Sequence, residues 1–306
     1  MDSSNDLEGD QLMRSRLLVL LAVLGLVLTA GFAVGCGDDD DDSSDTGTTG
    51  TSGDLGLIQD GQLLVGTDTP YPPFEIGQPP DISGYDIEVM QAIAEKLGLE
   101  ATFQDTSFDT IFRDVAQGKF DTAAAASTIT PEREKTVNFT APYYAADQAL
   151  VVTPDSDIAS VEDLAGKTVG AQDATTGEMF ANDETDAADV RGFPEGPDAI
   201  NALRAGQVDA TIIDQPVAQD AVDKEGGVEI AATIPTGELY GFSVAKENTA
   251  LLDAMDGALA DLKDDGTIEE LYQKYFKISA PDSVLSGTTE SGGGTDTSGG
   301  TDTNGG

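Results

Sequence analysis

The chain has no histidine and no tryptophan, and its 306 residues include one cysteine, Cys36. Without histidine, the commonest general base and the commonest metal ligand of proteins are both missing. A single cysteine permits neither an internal disulfide bond nor a thiolate metal cluster. These absences argue against histidine-dependent catalysis and against a cysteine metal centre, and the sequence implies no cofactor.

Basic residues are also scarce. Lysine and arginine number 15 against 57 aspartates and glutamates, so the formal net charge is −42. Such a chain should repel nucleic acid and acidic membrane surfaces, which excludes both as partners. The excess of acidic residues is typical of an adaptation for solubility or high salt rather than of an electrostatic field that serves the function of the protein.

The N-terminal region predicts a secretory signal over residues 1–36. A short basic segment, Met13–Arg16, precedes an apolar run from Leu17 to Val34. Residues 33–36 resemble a bacterial lipobox, in which Cys36 would be lipidated and become the mature N-terminus, although alanine stands where leucine is more usual. The alternative is that the apolar run from Leu17 to Val34 is a transmembrane anchor. Because residues 1–12 carry four acids and no base, we expect translation to start at Met13.

Two segments are predicted to be disordered. Residues 37–56 contain an aspartate run followed by Ser, Thr and Gly, and residues 279–306 are similarly poor in apolar side chains. Neither segment can bury enough apolar area to offset its chain entropy. The first would serve as a tether that holds the folded part away from the membrane.

Between residues 57 and 278 strands and helices alternate, which predicts an α/β fold. Residues 121–133 hold a candidate anion site. A small, apolar first half predicts a buried strand, and Thr130 and Pro131 then suit the start of a helix. Thr128 would lie in the turn and Arg133 in the first helical turn, so that hydroxyls, N–H groups and a guanidinium could bind a carboxylate.

The alternative for this stretch is an exposed arginine that pairs with Glu132 or Glu134. Polar side chains also follow other predicted strands, notably Asp68, Thr176 and Asp214. Ligands bind at the carboxyl ends of strands in open α/β sheets, so these residues are further candidates.

Several motifs resemble those of the family 3 extracellular solute-binding proteins, the polar amino-acid receptors of ATP-driven importers. The resemblance runs from about residue 57 to residue 277 with order and spacing intact, and its motifs are Val65–Phe74, Gly84–Ile87, Gly118–Asp121, Thr128–Arg133, Pro142–Tyr144, Leu164–Gly170, Gly206–Ala210, Gly266–Ile268 and Tyr272–Phe276.

This resemblance implies the two-lobed periplasmic-binding-protein-like fold (type II), with two hinge crossings and the ligand in the interlobe cleft. The first lobe would comprise residues 57–148 and 238–278, and the second lobe residues 149–237. The crossings should lie near residues 145–150 and 237–242.

The resemblance also implies site residues, with Cys36 as the lipidation site. Arg133, the Thr128 hydroxyl and the Ala126 backbone would meet the ligand α-carboxylate, and Asp214 would accept the α-ammonium. The remaining ligand-binding positions are Thr176 as a second-lobe hydroxyl, Gln172 in the pocket, Tyr71 and Phe108 around the ligand side chain, and Asp68 near its far end.

Some of these residues have other readings. Tyr71 and Phe108 could be core aromatics, and Asp68 could cap a turn. Asp86 stands at a predicted helix start, where an acid is expected anyway, so it is left out of the site. Alanines at positions 125 and 126, where relatives often have serines, leave the side-chain specificity open.

The implied function is that of a monomeric lipoprotein outside the cytoplasmic membrane that captures a polar amino acid and delivers it to an ABC permease. Asp68 favours a glutamine, arginine, lysine or histidine ligand over an acidic one. An enzyme on the same fold is the main alternative. A cyclohexadienyl dehydratase would need a general acid, and Glu178 or Asp214 would have to serve. A ligand-sensing domain is the third possibility.

Overall fold

A computed structural model describes residues 54–286. The predicted Cys36 lipidation site and the segments 1–36 and 37–53 lie outside the described residues. The strands of the described part are β1 (Gln62–Thr67), β2 (Ile76–Gln78), β3 (Asp81–Ser83), β4 (Glu100–Asp105), β5 (Thr122–Ala123), β6 (Val137–Phe139), β7 (Tyr144–Val152), β8 (Thr168–Gln172), β9 (Asp189–Phe193), β10 (Ala210–Asp214), β11 (Glu229–Tyr240) and β12 (Ser243–Ala245).

Amphipathic helices cover these strands. They are α1 (Tyr85–Lys96), α2 (Phe108–Ala116), α3 (Thr176–Asp183), α4 (Gly196–Arg204), α5 (Gln215–Lys224), α6 (Thr249–Asp264), α7 (Thr267–Tyr275) and α8 (Asp282–Leu285). Single 3-10 turns occupy Arg133–Lys135 and Val161–Leu164. Between residues 54 and 286, no helix combines the length and the apolar character needed to cross a membrane.

The large strands form two open sheets. The first has the order β4-β1-β5-β12-β6, and the second has the order β11-β7-β10-β8-β9. In each sheet three neighbouring strands are parallel, β4, β1 and β5 in the first and β10, β8 and β9 in the second. An antiparallel strand pairs with the inner one of the three, β12 with β5 and β7 with β10. The first sheet takes strands from both ends of the fold and the second from its middle, so the chain crosses twice between two lobes. This confirms the predicted α/β, two-lobed architecture.

The strands at the crossings, β7 and β11, pair with each other. Their antiparallel register includes Tyr144 opposite Tyr240 and Ala146 opposite Glu238, with a shift between Ile234 and Glu238. Aromatic rings pack the β7–β11 strand pair against the first lobe. The Tyr144 ring stacks on Tyr272 of α7 with centroids 5.0 Å apart, and it meets Phe74 edge-on at 4.9 Å.

The candidate anion stretch is less regular than predicted. The strand is only the two residues of β5, and the predicted helix is the single 3-10 turn Arg133–Lys135. The reason lies in β11, because the backbone N–H of Ile129 donates to Leu239 O at 2.8 Å and Thr128 bridges to Tyr240. The chain is thus held extended until residue 130, and β6 begins at Val137, which leaves room for one turn.

Two strands of the second sheet lie at its edges, where the sequence gives little strand signal. β9 and β11 flank the second sheet, and most of their side chains are not buried. They therefore lack the apolar alternation that a half-buried strand shows, and backbone pairing with β8 and β7 forms them.

The folded part extends beyond the predicted end at residue 278. Ala280 and Val284 are buried against the core, and α8 forms at Asp282–Leu285. Residues 279–286 therefore do not belong to a disordered tail. Two buried apolar side chains suffice because the rest of the fold already offers an apolar surface on which they pack.

Candidate functional site

A narrow cavity lies between the lobes, at the carboxyl ends of the strands. Its wall includes every ligand-binding residue predicted from the sequence. The full lining is Asp68, Tyr71, Phe108, Ala125, Ala126, Thr128, Arg133, Gln172, Thr175, Thr176 and Asp214. Residues that lie up to 146 positions apart in the chain are thus brought to one place by the two sheets.

Arg133 is a buried cation in this wall, with 8% of its surface exposed. Its guanidinium donates to Thr128 O at 2.8 Å and to Ala174 O at 3.2 Å, and it lies over the rings of Phe108 and Phe112 at 5.0 and 4.9 Å. None of the ion pairs within residues 54–286 includes Arg133. Burial lowers the pKa of Arg133 to about 10, so it stays charged at neutral pH without an anionic partner.

Asp214 is the buried acid of the second lobe. Its Oδ2 accepts from the Tyr71 hydroxyl at 2.7 Å, and its Oδ1 accepts from Gln148 Nε2 at 2.5 Å. Burial, followed by the charge of Glu238, raises the pKa of Asp214 to about 6. Both bonds come from neutral donors, so a cation that reached this carboxylate would find it uncompensated.

The two threonines predicted for the site converge on Glu238. Its Oε2 accepts from the Thr128 hydroxyl at 2.5 Å and from the Thr176 hydroxyl at 2.8 Å, and its Oε1 accepts from Gln148 Nε2 at 3.0 Å. Glu238 lies in β11 at the crossing between the lobes. It therefore joins a first-lobe hydroxyl to a second-lobe hydroxyl behind the cavity.

The far end of the cavity is acidic. Asp68 is 4% exposed, and its Oδ2 accepts from Gln172 Nε2 at 2.6 Å, while its Oδ1 has no hydrogen-bond partner among the described residues. Burial, then the charge of Glu195, raises the pKa of Asp68 to about 7. Burial likewise raises the pKa of Glu195 to about 7. Two carboxyl groups at one end form a region that a cationic or hydrogen-bond-donating group would stabilise.

Ala126 is held in a left-handed conformation with φ +43°. Its backbone N–H donates to Asp86 Oδ2 at 2.8 Å. This leaves the carbonyl as the backbone group of Ala126 that a ligand could meet, and a carbonyl suits an ammonium group better than a carboxylate. The predicted backbone contact of Ala126 with the carboxylate has no free N–H to make it.

Three residues around the cavity were missed by sequence reasoning. Asp86 was set aside as an ordinary helix-start acid, yet it is fully buried and binds the Ala126 amide. Gln148 and Glu238 lie on β7 and β11, and the latter strand was largely unpredicted. A polar residue within the apolar run Ala145–Val152 was the available signal for Gln148.

Side chains of the two lobes are in direct contact across the cavity. Tyr71 binds Asp214, Asp68 binds Gln172, and Arg133 binds the Ala174 carbonyl. Each of these bonds would be lost if the lobes separated. The structure is therefore a closed arrangement of the two lobes.

The family described as bacterial extracellular solute-binding proteins, family 3, matches residues 63–278. The chain belongs to this family. The L-cystine-binding protein TcyJ of Escherichia coli (strain K12) is 31% identical over 266 residues, which cover 84% of this chain and 94% of that protein.

Two solved structures are also similar. An ancestral arginine-binding protein bound to arginine is 38% identical with a TM-score of 0.67, covering 71% of this chain and 98% of that one, and it has also been solved bound to glutamine. The ancestral amino acid-binding protein AncCDT-1, a precursor of cyclohexadienyl dehydratase, is 35% identical with a TM-score of 0.66 and covers 71% and 96%.

Proposed function

We propose that the protein is an extracytoplasmic receptor that binds a free amino acid between its lobes and delivers it to an ABC permease. One observation carries the proposal: a guanidinium and a carboxylate, both buried and neither ion-paired with any residue of the range 54–286, line one cavity from opposite lobes, namely Arg133 and Asp214. A zwitterion supplies the missing partner to each. An ion pair at about 4 Å is worth about 4 kcal/mol at an effective dielectric constant of 20.

The ligand α-carboxylate is assigned to Arg133 and Thr128, and the α-ammonium to Asp214. Thr176 would contribute a hydroxyl, and the Ala126 carbonyl lies on the same wall. A ligand held by one lobe at each end favours the closed form over the open one, so binding shifts the population towards closure.

For the ligand side chain we propose a space between Tyr71 and Phe108 that ends at Asp68 and Gln172. The unpartnered Asp68 Oδ1 and the nearby Glu195 favour a cationic or amide-bearing ligand, with arginine first and glutamine, lysine and histidine next. The arginine and glutamine complexes of the ancestral protein support these two candidates. TcyJ, a cystine-binding protein, makes cystine an additional candidate.

We further infer that Cys36 is lipidated and anchors a monomeric receptor to the outer face of the cytoplasmic membrane. The lipobox-like residues 33–36 and the family membership support this placement. The predicted lobe boundaries, near residues 148 and 238, remain a proposal. The antiparallel pair of Tyr144 and Tyr240 supports a division there.

Catalysis is not part of the proposal. The Glu178 carboxylate accepts from the Ala174 N–H at 2.7 Å and is not among the residues that line the cavity. Asp214 is already held by Tyr71 and Gln148. Neither carboxyl group is disposed as the free general acid that a dehydratase needs.

Isothermal titration calorimetry with the twenty amino acids and cystine, on protein freed of carried ligand by unfolding and refolding, tests the function. We expect one-site binding of at least one amino acid, with arginine bound most tightly. Absence of binding at millimolar concentration to protein that has refolded would overturn the proposal. Formation of aromatic product from prephenate or arogenate would establish the enzyme instead.

A further inference from the structure

Two buried carboxyl groups meet behind the cavity wall, Glu75 and Asp86. Glu75 ends the proline-rich turn after β1, and Asp86 lies in the first turn of α1. Gly84 brings the two segments together, because a Cβ at this position would lie 2.0 Å from the Phe74 carbonyl oxygen, and its φ of +131° also favours glycine. The Tyr85 N–H donates to Pro73 O at 3.0 Å and completes the contact.

Both side chains are 0% exposed. Asp86 Oδ2 accepts from the Tyr143 hydroxyl at 2.6 Å and from the Ala126 N–H at 2.8 Å. In contrast, Asp86 Oδ1 and both carboxyl oxygens of Glu75 have no donor group as a partner among the described residues. The two carboxyl groups lie within hydrogen-bond reach of each other.

Two ionised carboxylates in contact repel each other strongly in a dry interior, whereas a protonated carboxyl group can donate to a carboxylate. Asp86 already accepts two hydrogen bonds that favour its charged form. Glu75 accepts none, so it is the member of the pair that holds a proton. One proton then gives a hydrogen bond to Asp86 Oδ1 and to one of the two bare oxygens of Glu75.

We propose that Glu75 stays protonated in the folded protein, donates a hydrogen bond to Asp86 Oδ1, and acts with Asp86 as a positioning pair for the cavity wall. Asp86 fixes Ala126, whose left-handed backbone is strained for an alanine. Glu75 closes the turn that carries Tyr71, because the Tyr71 N–H donates to Glu75 O at 2.9 Å and the Glu75 N–H donates to Tyr71 O at 3.1 Å. One shared proton thus couples two wall residues from separate segments.

The surroundings hold the proton on Glu75. Burial, followed by the charge of Asp86, raises the pKa of Glu75 well above its usual value. Among the described residues, the titratable groups that face the pair are acids and phenols without a positive charge, namely Asp68, Asp214, Tyr71, Tyr85, Tyr143 and Tyr144. A group with a raised folded pKa binds its proton more tightly in the folded state, so its contribution to stability is largest at low pH and falls as pH rises towards that pKa.

The test is Glu75→Gln in the full chain, since glutamine keeps a donor for Asp86 but cannot titrate. The matched control is Glu95→Gln, which changes an exposed glutamate on α1. Urea unfolding is measured without ligand from pH 5 to pH 9, and the unfolding constant of each variant is divided by that of the wild type so that other titrating groups cancel.

As pH rises, the unfolding constant of Glu75→Gln divided by that of the wild type should fall by up to tenfold per pH unit, because the wild type loses stability that the variant keeps. The same ratio for Glu95→Gln should not change with pH. A flat ratio for Glu75→Gln would overturn the proposal. If this variant does not fold, infrared spectroscopy decides, measured near pH 7 on Glu195→Gln protein carrying ¹³C-labelled glutamate, so that Glu195, whose pKa is raised to about 7, adds no protonated band. A protonated glutamate carbonyl band supports the shared proton, and its absence refutes it.

A second arm, which rests on the proposed function, measures amino-acid affinity over the same pH range. Wild-type affinity relative to Glu75→Gln should stay constant while the unfolding ratio still changes with pH, and it should fall at least threefold once that ratio levels off. The levelling marks loss of the Glu75 proton, which loosens the Tyr71 turn and Ala126. Failure of all variants to bind would count against the proposed function and leave the unfolding result standing. Parallel affinities across a pH at which the unfolding ratio levels off would refute the positioning role alone.

Discussion

The Tyr71 hydroxyl donates a hydrogen bond of 2.7 Å to Asp214, and this bond joins the two lobes directly. Tyr71 belongs to the turn after β1, whereas Asp214 ends β10 of the second sheet. Gln148 donates to the other oxygen of the same carboxylate from the crossing strand β7. The acid that we assign to the ligand ammonium is therefore also an acid that holds the cleft closed.

Removal of this hydroxyl should open the ligand-free protein. In Tyr71→Phe the aromatic ring remains but the interlobe bond is lost, so we expect a larger radius of gyration by small-angle X-ray scattering in the absence of ligand. Tyr275→Phe is the control, because its hydroxyl donates to Glu88 within the first lobe at 2.6 Å. An unchanged radius in Tyr71→Phe, or an equal increase in both variants, would contradict the role of the bond.

Arg133→Ala should weaken amino-acid binding by at least about 2 kcal/mol, since it leaves the ligand carboxylate desolvated and unpaired. Arg133→Lys should recover only part of this loss, because an ammonium cannot form the two parallel bonds of a guanidinium. Calorimetry measures both, with Arg113→Ala as a control in which an arginine with a 60% exposed side chain is removed. A loss of tenfold or less in Arg133→Ala would argue against the assignment.

Asp68→Asn should change the selectivity more than the overall affinity. The variant removes the charge that would face a cationic side chain, so arginine binding should weaken at least tenfold, while glutamine binding stays within about threefold. Asp109→Asn, at an exposed position of α2, provides the control. Equal losses for both ligands would show that Asp68 supports the cavity without contacting the ligand side chain.

Arginine binding should weaken as pH falls from 8 to 5. The pKa of Asp68 is raised to about 7 and that of Asp214 to about 6, so both carboxyl groups gain protons in this range and lose their attraction for cations. For each of these carboxyl groups, the affinity for arginine should fall by up to tenfold per pH unit at pH values below the pKa of the group. Calorimetry at a series of pH values measures the profile.

Glutamine serves as the internal control for that profile, because it has an α-ammonium but no side-chain charge. Its affinity should fall mainly below pH 6, where Asp214 protonates. The stability of the ligand-free protein should depend on pH in the opposite direction to the binding affinity. Because the pKa values of Asp68 and Asp214 are raised in the folded state, these two groups make the unfolding free energy rise as pH falls from 7 towards 4. Arginine affinity that stays constant from pH 8 to pH 5 would refute the pairing with these acids.

Gly196→Ala should hinder closure of the lobes. A Cβ at this position at the start of α4 would lie 2.5 Å from the Tyr71 ring of the other lobe, so the closed form must shift to admit it. We expect at least tenfold weaker binding with little change in the unfolding midpoint of the ligand-free protein, which can relieve the clash by opening.

Gly257→Ala is the matched control, because the residue is inside α6 and, apart from its chain neighbours and the backbone of its own helix, no described atom lies within 4 Å of a Cβ there. It should leave binding unchanged and stabilise the fold by about 0.5–1 kcal/mol. Unimpaired binding in Gly196→Ala would mean that the ligand-bound lobes do not approach as closely as they do in this structure.

Much of the architecture could be read from the residues. Apolar runs such as Leu63–Val65, periodic helix faces such as that of α1, and polar residues after strands predicted an α/β fold with ligands at the strand ends. The motif from Thr128 to Arg133 and the acid at Asp214 were identified in advance, although they lie far apart in the chain. Local pattern was sufficient for the strand that ends at Asp214, whereas the assignment of Arg133 and Asp214 to one site came from the resemblance to the family.

Only the tertiary structure decides which groups are the partners of the buried polar side chains. Asp86 reads as a helix-start acid, and only its burial against Glu75, Tyr143 and the Ala126 amide makes it part of the cavity wall. Glu238 lies on an edge strand without apolar alternation, yet it unites Thr128 and Thr176. Residue type and local pattern determine which strands and helices form. They do not determine which carboxyl groups become buried away from water, or which hydrogen-bond donors then replace that water. Both depend on segments that come into contact only after the two lobes have folded and closed.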